Sequence, residues 1–174
     1  LLKNKKVLDF GCGHGNFLKY CDRTAKKIYG VEINKQLVKK LNQNFIVEES
    51  IDNFVNKKFD VITCNHVLEH VPKQILLLRK LLSKLNNKGI LIIEVPSAHD
   101  MLLSIKEFRD FTMWSEHLIL HTNESLKKLI RVAGGRKIDM INYQRYNLSN
   151  NMGWFIDRAP GGHDKYDFPD ELNI

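Results

Sequence analysis

Residues 9–16 read Asp-Phe-Gly-Cys-Gly-His-Gly-Asn, three glycines in a loop directly behind a short apolar run. Glycine lets a chain turn sharply and lets a ligand approach the main chain. A helix starting just after such a loop adds unpaired N–H groups. Two ligand chemistries compete for it. A dinucleotide site uses G-x-G-x-x-G; here the spacing is G-x-G-x-G, and Asn16 stands where the third glycine belongs. Asp9 would also face a pyrophosphate unfavourably, and a carboxylate there suits a cationic or amine-bearing ligand better. The bland alternative is a glycine-rich turn with a purely structural role. Glu32 follows Asp9 by 23 residues and ends the next apolar run. A carboxylate at that place can accept two hydrogen bonds from a ribose diol; otherwise it is an exposed strand-end charge.

Proton transfer needs a group that titrates near neutrality, and an unperturbed histidine has a pKa of about 6.5. His66, His117 and His163 are the candidates. His117 follows Trp114-Ser115-Glu116, and His163 lies in Gly161-Gly162-His163-Asp164. A histidine satisfied by backbone groups and a mobile loop are the respective alternatives. No HExxH, His/Asp cluster or paired-carboxylate pattern is present, so no metal is expected.

These residues need elements to position them. Val7–Phe10, Lys27–Glu32, Asn44–Val47, Phe59–Cys64 and Ile90–Val95 read as strands, the last stopped by Pro96. Helices are expected from Asn16 to about Arg23, Lys35 to Asn42, Ile75 to Leu85 and Glu124 to Val132. Asn123 would cap the last of these and Gly134-Gly135 would close it. Ile138–Tyr143 is a possible sixth strand, and beyond Tyr143 the periodicity fails. Alternating strands and helices imply a parallel sheet, and continuous apolar strands imply burial on both faces. The fold class is therefore α/β, a Rossmann-like doubly wound, mostly parallel sheet in three α/β/α layers. Residues 1–145 would form the core and 146–174 an irregular C-terminal segment of the same domain.

Composition sets the outer bounds. A chain of 174 residues, 43% hydrophobic and 27% charged, is one domain's worth of material. No apolar run approaches the ~18 residues of a membrane helix. Cys12, Cys21 and Cys64 form no CxxC pair. Free thiols suit a reducing cytosol, so a cytoplasmic location is expected. The chain begins at Leu1 rather than at methionine and reads as a piece of something longer. The net charge is +7, with doublets such as Lys5-Lys6, Lys26-Lys27, Lys39-Lys40 and Lys57-Lys58 spread along the sequence. A nucleic-acid reader gathers its basic groups on one face. The scatter here reads as solvated faces, although the charge can still steer an anionic substrate.

Taken together, residues 7–15 (Val-Leu-Asp-Phe-Gly-Cys-Gly-His-Gly), Gly-Val-Glu at 30–32, Phe-Asp-Val-Ile at 59–62 and His-Val-Leu-Glu-His-Val at 66–71 resemble the successive motifs of class I S-adenosylmethionine-dependent methyltransferases. The resemblance covers about residues 5–145, in the family's order and spacing. It implies S-adenosylmethionine as cofactor and S-adenosylhomocysteine as product. By that resemblance Asp9, Gly11, Cys12 and Gly13 sit against the methionine part. Glu32 holds the ribose, Ile33, Ser50 and Ile51 flank the adenine, and Asn65 and His66 lie near the sulfonium. One departure is the adenine-binding Asp of many members, whose register is ambiguous in Glu48-Glu49-Ser50-Ile51-Asp52.

The position after the fourth strand reads Cys64-Asn65-His66-Val67, unlike the (Asp/Asn/Ser)-Pro-Pro-aromatic motif of enzymes that methylate base amines. Cys64 also lacks the proline context of a base C5 nucleophile. Nucleic acid is therefore not the expected partner. His-Val-Leu-Glu-His-Val is common in small-molecule members; Glu69 is read as a helix cap and His70 as packing. Gly-Gly-His-Asp resembles methyltransferases encoded among bacterial surface-polysaccharide and nucleotide-sugar genes. The expected acceptor is a small-molecule or sugar hydroxyl, with His117 or His163 as base. An oxidoreductase on the same sheet and a non-catalytic S-adenosylmethionine-binding domain are the alternatives.

Overall fold

The computed structural model describes residues 2–113, 117–162 and 165–166. The chain divides into two compact units, Leu1–Val95 with Lys128–Arg136, and Pro96–Lys127 with Lys137–Ile174.

The first unit holds five strands, β1 (Lys6–Phe10), β2 (Lys27–Val31), β3 (Ile46–Glu48), β4 (Phe59–Asn65) and β5 (Leu85–Glu94). Their order is β3-β2-β1-β4-β5 and every pair is parallel. Chain order runs outward from β1 to β3, then returns to β4 on the other side of β1. Ligands of open α/β sheets bind at the carboxyl ends of the strands beside such a reversal. Helices α1 (Asn16–Asp22), α2 (Lys35–Leu41) and α3 (Gln74–Ser83) are the crossovers. Successive strand residues point to opposite faces. Val7 accordingly joins Leu18, Cys21, Val38 and Leu41 under α1 and α2. Its neighbour Leu8 joins Tyr29, Phe54, Phe59 and Leu81 under α3. Both faces are covered, so β1 and β4 need unbroken apolar runs. Each fully buried aliphatic side chain contributes about 1.5–3 kcal/mol.

Local chemistry sets the boundaries. Asn34 caps α2, its side chain accepting from the N–H groups of Gln36 and Leu37 at 3.0 and 3.2 Å. The β4–β5 register slips between Phe59 and Val61, which pair with Leu85 and Ile90. Asn87–Gly89 is therefore a bulge inside a strand longer than the expected Ile90–Val95, with Lys88 at φ 68°.

The second unit contains α4 (Lys106–Met113) and α6 (Leu148–Asp157), and α5 (Asn123–Ala133) contributes residues to both units. Phe108 and Phe111 pack on Trp154 with ring centroids 5.0 and 5.3 Å away, above Leu102 and Ile105. Three expectations need correction here. Thr122 caps α5, accepting from the Ser125 N–H at 3.1 Å, and Asn123 is already helical. Ile138–Tyr143 forms no strand; Ile141 is 85% exposed and Tyr143 62%, so no face is buried. Beyond Tyr143 the chain does form a regular element. Asn147 caps α6 by accepting from Asn150 N–H at 3.0 Å. Gly153 inside that helix is required because a Cβ would come within 2.9 Å of the Gly162 Cα.

Candidate functional site

The loop after β1 is fastened to the end of β2. The N–H groups of Gly11 and Cys12 both donate to the Val31 carbonyl, at 2.8 and 3.0 Å. Gly11, Gly13 and Gly15 all have positive φ, at 79°, 51° and 75°. Their surroundings differ. A Cβ on Gly11 would collide with the Val67 side chain, and one on Gly15 would lie 2.5 Å from Leu41 Cδ2. A Cβ on Gly13 would meet nothing within 4 Å. Packing demands the first and third glycines, while the second opens outward. The Cys12 side chain is buried, so the loop presents only main chain at that position.

Glu32 follows β2 directly and faces this opening. One carboxylate oxygen accepts from the Gly13 N–H and the other from the Asn34 N–H, both at 2.9 Å. Each carboxylate oxygen has a further lone pair to offer. Beside it Ile33 is 85% exposed, an apolar side chain held out of the core. Ser50 accepts from the Asp52 N–H at 3.2 Å and so caps the 3₁₀ turn over Ile51–Asn53. The Ile51 side chain is buried with Tyr29 and Phe54, so only its main chain is available outside.

Asp9 is 5% exposed. Its Oδ1 accepts from Thr63 Oγ1 at 2.7 Å. Burial pushes its carboxyl above the ordinary range, and the Thr63 hydrogen bond opposes that. Burial and then the Asp9 charge push the Cys12 thiol up to about 12 and the Cys21 thiol up to about 11.

The turn after β4 carries the second group of chemistry. Asn65 ends the strand, and His66 adopts φ 52°, a left-handed conformation costly for a residue with a Cβ. The backbone is pinned there by His66 N–H donating to the Glu94 carbonyl at 2.9 Å. The ring is gripped on both sides, with Nε2 2.8 Å from Glu94 Oε1 and Nδ1 3.4 Å from Glu69 Oε1. Glu69 is fully buried, and His70 Nε2 lies 3.9 Å from the same oxygen. Burial and then Glu69 push the Cys64 thiol up to about 12. An imidazolium at His66 would therefore be balanced by two carboxylates.

All the expected cofactor positions, from Asp9 to His66, gather in the first unit around the carboxyl ends of β1, β2, β3 and β4. Glu69 is no helix cap, as expected above, but a buried partner of His66 and His70. The sequence reading missed Thr63 and Glu94. Their signal was a polar residue inside one apolar strand and a carboxylate ending another. His117 belongs to the second unit and is half-buried. Its neighbour there, His121, is 5% exposed with Nδ1 3.1 Å from Ser125 Oγ. His163 lies outside the described residues.

Residues 1–138 match a family described as a methyltransferase domain. A ubiquinone biosynthesis O-methyltransferase from Actinobacillus pleuropneumoniae is 30% identical over 105 residues, 52% of this chain and 45% of that protein. A tRNA U34 carboxymethyltransferase from Nautilia profundicola is 32% identical over 105 residues, 53% of this chain and 35% of its own length. The chain thus spans less than half the length of these two curated relatives. Among solved structures, a SAM dependent methyltransferase from Archaeoglobus fulgidus superposes with a TM-score of 0.60 at 25% identity, covering 83% of this chain and 73% of that one.

Proposed function

The chain belongs to the methyltransferase domain family, and from that premise we propose that it transfers the methyl group of S-adenosylmethionine to a hydroxyl of a small molecule or sugar. The observation that carries the cofactor half is Glu32, whose two oxygens are fixed by two main-chain N–H groups beside the open face of Gly13. The residues fit the cofactor. Glu32 would accept from the ribose hydroxyls, and Ile33, exposed as it is, offers an apolar surface to a purine. Ser50 and the Ile51 main chain would flank that ring. Gly11, Cys12 and Gly13 would offer main chain to the amino-acid end, with Asp9 beneath them. Bound there, the cofactor supplies a methyl group on a sulfonium, an electrophile that leaves as S-adenosylhomocysteine.

The protein's own task is to attract, orient and deprotonate. Asp9, Glu32, Glu48 and Glu94 stand at the carboxyl ends of four strands and give that edge a negative field. Such a field favours a sulfonium and disfavours a polyanionic acceptor, which supports a small acceptor over nucleic acid. Holding two reactants in line can supply roughly 7–11 kcal/mol of a barrier. A proton leaving the acceptor hydroxyl would be taken at Glu94, whose Oε1 is held 2.8 Å from His66 Nε2, with Glu69 facing the other side of that ring. His117 and His163 remain the other proposed bases.

The test is calorimetric titration with S-adenosylmethionine and, separately, NAD, repeated on Glu32→Ala. Micromolar binding of S-adenosylmethionine, at least roughly 10-fold weaker in the variant and without NAD binding, is expected. Release of S-adenosylhomocysteine is then followed against phenolic, sugar and nucleotide-sugar acceptors. Tight binding of NAD would overturn the reading in favour of an oxidoreductase. Cofactor binding without turnover on any acceptor would favour a binding domain.

A further inference from the structure

The lysine doublets look scattered in sequence, but the topology collects them. Each parallel strand begins at the same edge of the sheet, opposite the glycine loop. Lys5-Lys6 opens β1, Lys26-Lys27 opens β2 and Lys57-Lys58 opens β4, and all six are exposed. Lys6 and Lys27 are register partners, and the N–H of Lys26 donates to the Lys5 carbonyl at 2.9 Å. Lys88 adds a further exposed charge from the β5 bulge. Lys57 is held over the rings of Tyr29 and Phe54, at 4.9 and 5.3 Å. A shallow hollow of about 330 Å³ opens here between Lys6, Lys57, Lys58, Asn56 and Asn86.

Neutralisation from within is slight. Among the described residues none of the six has a carboxylate oxygen within 4.0 Å of its ammonium. Asp60 sits among them, accepting from the Lys6 N–H at 2.8 Å and from Asn86 at 2.7 Å, and its one charge offsets one of the six. Lys5 and Lys6 help to hold its carboxyl below the usual range, after those two hydrogen bonds. The first unit is thus charged in opposite senses at its two edges, with ammoniums at the amino ends of the strands and carboxylates at the carboxyl ends.

We propose that the amino edge of this sheet is a docking surface for an anionic lipid bilayer. Three observations choose the bilayer over nucleic acid. The six cations are lysines, point charges that read no base edge, whereas nucleic-acid recognition adds the planar fork of arginine and its stacking on bases. Tyr29 and Phe59 line the hollow but are only 6% and 0% exposed, and Lys57 covers Tyr29 and Phe54, so no ring presents an open face for a base to stack on. Neighbouring strands lie about 4.8 Å apart, so the doublets line one edge, suited to a plane of headgroup charge, with the hollow able to seat a phosphate. Each basic residue held near an anionic bilayer adds to the attraction, which falls off within a Debye length. The proposal rests on this charge geometry alone and stands apart from the methyl-transfer reading.

The test is co-sedimentation with vesicles of phosphatidylcholine alone and of phosphatidylcholine with phosphatidylglycerol, at low and high salt. The unaltered chain is expected to bind only the anionic vesicles, and less so in salt. Changing Lys5, Lys6, Lys57 and Lys58 together to Glu should weaken that binding by roughly 100-fold or more. The control changes Lys35, Lys73, Lys128 and Lys137 to Glu, exposed lysines that open no strand and give the same net charge, and should lose less than about 5-fold. Circular dichroism on both variants confirms that they fold. Failure of the unaltered chain to bind anionic vesicles overturns the proposal. So does an equal loss in the control, which would mean net charge alone. A parallel gel-shift with RNA decides the remaining alternative: RNA retained at this edge without vesicle binding overturns the bilayer assignment.

Discussion

Asp9, proposed to lie beneath the cofactor, carries a cost in stability. Its carboxylate is buried and accepts from the Thr63 hydroxyl, and burial outweighs that hydrogen bond and raises its pKa. A group whose folded pKa is raised favours folding in its protonated form. The penalty of burying the charge is complete above the folded pKa, shrinks as pH falls through it, and is gone below the ordinary value of 3.8. Asp9→Asn is therefore expected to raise the denaturant midpoint at neutral pH, with the difference from the unaltered chain closing towards acid. The same change should weaken S-adenosylmethionine, because a negative charge near the cationic ligand is lost. Paired denaturation and titration on the one variant check both signs. At this scale the sequence was informative where a residue type was odd for its place. Asp9 behind an apolar run and Glu32 ending another could be picked out. Glu94 ended an apolar strand in the same manner, but its meaning depends on His66, 28 residues away, and that pairing follows only from the adjacency of β4 and β5.

Among elements, the glycine loop separates positions set by packing from one that is open. Gly11 has no room for a Cβ because Val67 fills the space, whereas Gly13 has room. Both have positive φ, which costs any other residue about 1–2 kcal/mol. Gly11→Ala carries the further cost of overpacking, about 1–3 kcal/mol. Equilibrium unfolding should therefore show Gly11→Ala the less stable of the two, with Gly13→Ala losing cofactor affinity for a smaller loss of stability. Similar stabilities in the two variants would mean that the loop can shift away from Val67. The parallel core was legible because its strands are continuous apolar runs between glycine, asparagine and lysine breaks. The rest was not. Ile138–Tyr143 is rich in apolar and aromatic residues like a strand, yet it buries no face. The α6 helix has Asn at three of its cap and first-turn positions and a glycine in its interior, composition that reads as loop. Its regularity depends on the Asn147 cap and on the close approach of Gly162, a contact that has no local signature.

For the molecule as a whole, topology converts sequence scatter into field. Lysine doublets separated by twenty or thirty residues look unrelated along the chain, yet parallel strands bring their starts to one edge and their carboxylate ends to the other. No composition count could show this, because net charge is blind to arrangement. The three cysteines, all buried and all in the first unit, carry a different consequence. Thiolate, not thiol, reacts with disulfide reagents, and Cys12 and Cys64 are pushed up to about 12. Labelling at neutral pH must then wait for the unit to open, so each sulfur is a clock for a different depth of unfolding. Cys12, within the glycine loop, times the loop itself; Cys64, in the interior strand β4, times the whole sheet. Saturating ligand at about 100 times its Kd should slow any opening that destroys the site by roughly 100-fold. Equal slowing at both sulfurs would mean that loop and sheet open as one event, and slowing at Cys12 alone would mean that the loop lifts by itself.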